Sequence, residues 1–199
     1  MLTETYTLVA LSVEQARVRV NLLSLQQSLY TNWIEQCTLT TGQVDYACDS
    51  LRRLYDSWNW RKIEQFLIPA MHGATKETDQ LLLELDRLNH AAAEAMGNIA
   101  ERFAGLSVDS AVHVGEFCGS VETFCNALLQ RLTREEQELF PVARSVITGD
   151  TWFSIAHKML AHDAYVQESK PARVSTMPTA APANDALAEQ RTSKAMLVR

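Results

Sequence analysis

The chain has 199 residues, 47% of them hydrophobic, and carries 18 Lys and Arg against 24 Asp and Glu for a formal net charge of −6. That length suits one domain, or one domain with an appendage. A pI near 5.4 argues against nonspecific nucleic-acid binding, which needs a basic surface to release counterions, and no apolar run approaches the ~20 residues that span a bilayer.

Met1-Leu2-Thr3-Glu4 puts an acid where a secretory leader would carry Lys or Arg. Four cysteines in such a chain read as thiols of a reducing compartment. A cytoplasmic protein is therefore expected, with no nucleic-acid or membrane partner.

Residues 1–164 contain only two prolines, Pro69 and Pro141, and every glycine lies at or before Gly149. Long stretches rich in Leu, Ala, Gln, Glu and Arg favour helix. The first helix is expected from Ser12, a plausible N-cap, to Cys37, with an apolar stripe at Val18, Leu22, Leu25, Leu29 and Trp33. Thr40-Thr41-Gly42 turns into a second helix over residues 43–71, with Leu51, Leu54, Trp58 and Phe66 among its apolar positions. Thr75 caps a third that runs to Ala104 with stripe Leu81, Leu85, Leu88, Ala92 and Ile99, and Gly105 supplies its C-terminal turn. Ser107 opens a fourth helix reaching Val146, and a short amphipathic fifth carries Trp152, Phe153, Ile155 and Met159.

From Tyr165 the composition changes to three prolines, seven alanines and scattered Ser and Thr, with net charge +2. A flexible, low-complexity tail is expected over 165–199. Four long helices joined by short turns predict an all-α domain over 1–164, an up-down-up-down antiparallel four-helix bundle.

The ends of the second and fourth helices repeat at an offset of 72 residues. Ile63 to Pro69 matches Glu135 to Pro141 through the shared pattern Glu-Gln-x-Leu-(Ile/Phe)-Pro, preceded by Lys62 and Arg134. Proline inside a helical pattern costs about 3 kcal/mol, so its recurrence at equivalent places points to a repeat of two helix pairs.

Leu128-Leu129-Gln130-Arg131-Leu132-Thr133-Arg134-Glu135-Glu136-Gln137-Glu138-Leu139-Phe140-Pro141 resembles the fourth helix of bacterial hemerythrin-like domains, where the pattern is roughly Leu-Leu-x-His-Leu-x-x-Glu-Glu-x-x-Leu-Phe-Pro. The resemblance extends over about residues 12–160 and implies a four-helix bundle built round a non-haem di-iron site. It also implies that the family's imidazole positions fall here on Gln15, Asn59, Thr78 and Arg131, while Glu64, Glu135 and Glu136 keep carboxylates. Imidazole is what suits iron in such a site, and a fixed guanidinium opposes a metal dication. A buried polar cluster of Gln15, Asn59, Glu64, Thr78, Arg131, Glu135 and Glu136 in place of the metal is expected, with Arg131 paired to Glu136 or Glu64 and no cofactor. Residues 47–66 also resemble the second helix of the bacterial regulator-of-sigma-D family, metal-free bundles that bind a protein partner.

A separate ligand set is conceivable at His90 and Glu94 with Cys118 and Glu122 of the next helix. However, His90 falls roughly 180° round from Leu81, on the face turned from the core. Cys118 and Cys125 fit apolar packing, and Cys37 is the most exposed thiol in prospect. Trp58 and Trp60, two apart on one helix, cannot both face one core. No Gly-rich phosphate loop or nucleophile motif appears, so a non-catalytic protein is expected. Three functional readings result: a protein-binding or regulatory module that could self-associate; a di-iron protein handling O2, NO or iron; and an anti-sigma-like regulator or thiol redox sensor.

Overall fold

Local capping chemistry delimits most of the helices in the computed structural model, which describes residues 2–169. The helices are α1 (Leu2–Asn32), α2 (Thr41–Trp58), α3 (Ile68–Met71), α4 (Lys76–Phe103), α5 (Ala111–Arg134), α6 (Phe140–Val146) and α7 (Gly149–Ser169). Thr40 closes a capping box with Gln43 at the start of α2, each side chain satisfying the other's backbone. Thr75 caps α4 as expected, accepting from the Thr78 N–H. Gly105 adopts φ +75°, the left-handed geometry that ends α4.

Three boundaries differ from those expected of the sequence. Ser12 is not a cap: it lies inside α1, and its hydroxyl donates to the Leu8 carbonyl. α1 starts at Leu2 because Leu8 and Leu11 are buried there, so tertiary packing extends the helix. Ser110, rather than Ser107, caps α5, since Val108 exchanges both backbone hydrogen bonds with Leu39. The fifth helix is long, 21 residues, anchored by buried Trp152, Ile155 and Met159. Residues 165–169 thus continue this helix where a tail was expected, and 170–199 lie outside the described residues.

The all-α class holds: apart from the single Leu39–Val108 bridge there is no strand among the described residues. α5 packs along both α4 and α1, and α2 packs on α4. No helix among the described residues is long and apolar enough to cross a membrane. Residues through Tyr165 form one compact unit.

The repeat expected from sequence has a structural counterpart. Ile63–Leu67 and Glu135–Leu139 are both π-helical turns, offset by the same 72 residues. In each, the residue before the proline bonds five positions back, Ile68 N–H to Ile63 O and Phe140 N–H to Glu135 O. Proline lacks an N–H and its ring crowds the carbonyl four residues earlier. A widened turn just ahead of it relieves that crowding.

The apolar interior falls into two clusters. One gathers Leu22, Leu25 and Leu29 of α1 with Leu51, Trp58, Ile99, Phe117, Phe124 and Leu132. The other gathers Leu8 and Leu11 with Ile63, Leu67, Leu85, Leu139 and Trp152. Between them each long strand of helix carries a polar residue: Gln15 between Leu11 and Leu22, Arg61 between Trp58 and Ile63, Asn89 between Leu85 and Ala92, and Glu135 between Leu132 and Leu139. A polar layer therefore divides the core.

Candidate functional site: a buried arginine–glutamate layer

The polar layer is built where the helices change course. α2 stops at Trp58 and the chain turns through Asn59 and Trp60 before re-entering the interior at Arg61. On the opposite limb, Arg131 lies in the last turn of α5 and Glu135 begins the π turn. Arg61, Arg131, Gln15 and Glu135 are all at most 2% exposed.

Glu135 is the hub. Its Oε1 accepts from Arg61 Nη2 at 2.7 Å and Arg131 Nε at 2.9 Å. Its Oε2 accepts from Arg61 Nη1 at 2.8 Å and Gln15 Nε2 at 2.7 Å. Four donors fill the roughly four lone-pair directions of a carboxylate, and Arg61 binds it in the bidentate mode. Glu64, 18% exposed, bridges both guanidiniums through Oε1, at 2.9 Å from Arg61 Nη2 and 2.5 Å from Arg131 Nη2. Two cations meet two anions, so the layer is formally neutral, the condition under which buried charge is tolerated.

Trp58 roofs the cluster. The Arg61 guanidinium carbon lies 3.7 Å from its ring centroid and that of Arg131 5.7 Å away, a cation–π arrangement. The indole N–H donates to Asn89 Oδ1 at 2.9 Å. Burial alone would raise the Glu135 carboxyl, but the charges and hydrogen bonds of Arg61 and Arg131 outweigh it and hold the group below its ordinary value of 4.5. Burial likewise opposes the charge on Arg61, and the two carboxylates overcome it.

The expected cluster is assembled only in part. Gln15, Glu64, Arg131 and Glu135 come together, with Arg131 on Glu64 as anticipated. Glu136 does not join them. It lies outward and pairs with Arg19 at 2.9 Å. Asn59 is exposed at the end of α2, its carbonyl accepting from Gln65. Thr78 is buried, but its hydroxyl pairs with Thr75 at the start of α4. Arg61 is the member that sequence reasoning missed, because residues 43–71 taken as one uninterrupted helix do not bring it inward. Its spacing of three from both Trp58 and Glu64 was the available signal. The basic residues before each repeat work at the surface: Lys62 pairs with Asp163, and Arg134 with Glu84 and Glu138.

The alternative ligand set does not converge. His90 is 78% exposed beside Asp86, Glu94 is exposed, Cys118 is buried, and Glu122 accepts from the Tyr30 hydroxyl. Among the described residues no group of three or more His, Cys, Asp or Glu side chains is placed to hold a metal ion. At the polar layer itself, every oxygen of Glu135 is taken by N–H donors, and guanidiniums stand where a cation would have to enter. That donor set does not fit a di-iron centre.

One open side remains. A cleft of about 480 Å³ beside α4 is lined by Glu64, His72, Asp79, Asp86, Asn89 and Arg131 among others. Arg131 Nη1 is buried and has no protein partner. No protein-family model, characterised protein or solved structure matches the chain.

Proposed function

We propose that the chain is a metal-free, non-catalytic hemerythrin-like bundle, an up-down-up-down four-helix arrangement in which the arginine–glutamate layer stands in place of a di-iron centre. It acts in the cytoplasm as a protein-binding or regulatory module. The observation that carries this reading is the saturation of Glu135 by Arg61, Arg131 and Gln15, which turns a would-be ligand carboxylate into the anchor of a purely protein network. The paired π turns before Pro69 and Pro141 support descent from a two-helix repeat, in keeping with the hemerythrin-like pattern of residues 128–141.

Binding is supported by Trp60, 69% exposed beside the buried Arg61. Tryptophan is prominent among residues that dominate protein interfaces, and this one is mounted on the same short turn that enters the polar layer. The thiol-sensor reading is less favoured, since burial raises the Cys118 and Cys125 thiols, the latter to about 12, which suppresses the reactive thiolate.

Metal analysis and an absorption spectrum of freshly purified protein test the proposal. Less than about a tenth of a metal ion per chain is expected. Two irons per chain with an iron-dependent absorption band would reject it in favour of the iron-handling alternative.

A further inference from the structure

α1 is apolar on two opposite faces. Its inward face carries Leu8, Leu11, Leu22, Leu25 and Leu29. Its outward face carries a second series, spaced alternately by four and three residues. One set of positions in that series is Leu2, Val9, Ala16, Leu23 and Tyr30; the other is Tyr6, Val13, Val20 and Gln27, followed past the helix end by Ile34. All ten are exposed, Leu2 at 91% and Val20 at 63%. The described residues leave this stripe uncovered.

An outward helix face is ordinarily polar, and single exposed apolar residues need no explanation. Ten consecutive positions in a 3.5-residue period are a different matter. That period is what keeps one seam of a helix against a partner helix as the two wind round each other. In heptad terms Tyr6, Val13, Val20 and Gln27 occupy the a positions, with Leu2, Val9, Ala16, Leu23 and Tyr30 at d. β-Branched residues at a with Leu at d favour two strands, and a lone polar a residue sets register.

We propose that α1 is the seam of a parallel homodimer, in which a second copy of this chain lays its own α1 along the outward face. The occupant must offer a matching apolar stripe some 30 residues long, and α1 itself does so under a two-fold axis parallel to the helix. The eight large apolar side chains of the stripe present on the order of 800 Å² to solvent, the share per partner of a standard stable interface.

The flanking residues choose the direction. Positions beside the seam are mostly small or neutral, among them Ser12 and Ser24, with Arg17 and Arg19 the exceptions. Arg19 is already paired to Glu136. Parallel pairing sets Arg17 against Ser12 of the second copy and Gln27 against its own counterpart, where the two amides can bond. Antiparallel pairing centred on the same stretch would bring Arg17 against Arg17, a repulsion with no acid nearby on the seam. At the N-terminal end Leu2 and Tyr6 share an apolar cleft of about 430 Å³ with Phe153 and Leu160 of α7. Parallel pairing brings both copies of that cleft to the same end, which widens the contact there. The seam is separate from the polar layer, and neither proposal depends on the other.

Sedimentation equilibrium of the full chain over roughly 1 µM to 1 mM tests the proposal. The wild type is expected to be a dimer, and Val13→Asp/Val20→Asp a monomer with association weakened at least a hundredfold and unchanged helical circular dichroism, because both sites are exposed. A second arm places Val20→Cys in a Cys37→Ser background. A parallel seam puts the two introduced thiols face to face, so mild oxidation yields a covalent dimer through residue 20. A wild type that stays monomeric over the whole range, a double aspartate variant that still dimerises, or a dimer that fails to cross-link at residue 20 each overturns it.

Discussion

Replacing Glu135 with Gln would keep the shape of the hub and remove its charge. In the native layer two guanidiniums face two carboxylates; the variant leaves one positive charge in excess where exposure is 0%. The hydrogen bonding suffers as well. If the new amide nitrogen takes the Oε1 position it meets Arg61 Nη2 and Arg131 Nε, both donors. If it takes the Oε2 position it meets Arg61 Nη1 and Gln15 Nε2. The second is the lesser harm, because Gln15 Oε1 has no protein partner and the side chain can flip to present it. Arg61 Nη1 then remains unsatisfied. Removing one member of a buried ion pair costs about 3–5 kcal/mol, a large part of the ~5–15 kcal/mol typical of a whole domain. Urea unfolding at neutral pH, followed by helical circular dichroism, should show the midpoint falling by roughly 1–3 M. Replacing the network together, as Arg61→Met/Arg131→Met/Glu135→Leu, should instead stay within about 2 kcal/mol of the wild type or exceed it, since Glu64 can hydrate and apolar isosteres avoid the desolvation cost. A Glu135→Gln penalty below about 1 kcal/mol would refute the placing of this carboxylate at the centre of the layer.

Acid should unfold the protein through the same group. The Glu135 carboxyl is held below 4.5 in the fold, so its stabilisation is full above 4.5 and is lost as pH falls through the folded value, at up to about 1.4 kcal/mol per pH unit. Burial raises the Glu14 carboxyl despite its bond to the Lys62 N–H, which works in the opposite sense at slightly higher pH. Urea midpoints from pH 7 to 3 should therefore drop mainly below 4.5, and a flat profile there would count against the coupling. Trp58→Phe loses the indole bond to Asn89 and weakens the ring's hold on Arg61; a cost of about 1–3 kcal/mol in the same unfolding assay is expected. In thiol labelling of the native protein, exposed Cys37 should react first, and buried Cys125, pushed up to about 12, only on unfolding. Equal rates for the two would contradict that burial.

Amino-acid order alone carried the helical class, the caps at Thr40 and Thr75, the inward stripe of α1 and the 72-residue repeat. Each of these is set by residues within a few turns of one another, through backbone hydrogen bonding and the 3.6-residue period. The membership of the polar layer was not legible in that way. A π turn adds a residue to the helix and rotates the remainder of that helix by about 100°, so Glu135 goes inward and Glu136 outward although the two are neighbours. The break after Trp58 does the same for Arg61 and Asn59. Nor does periodicity say which of two apolar stripes on α1 is core. Only packing against the neighbouring helices decides that, because burial is a property of what surrounds a residue and not of its place in the chain.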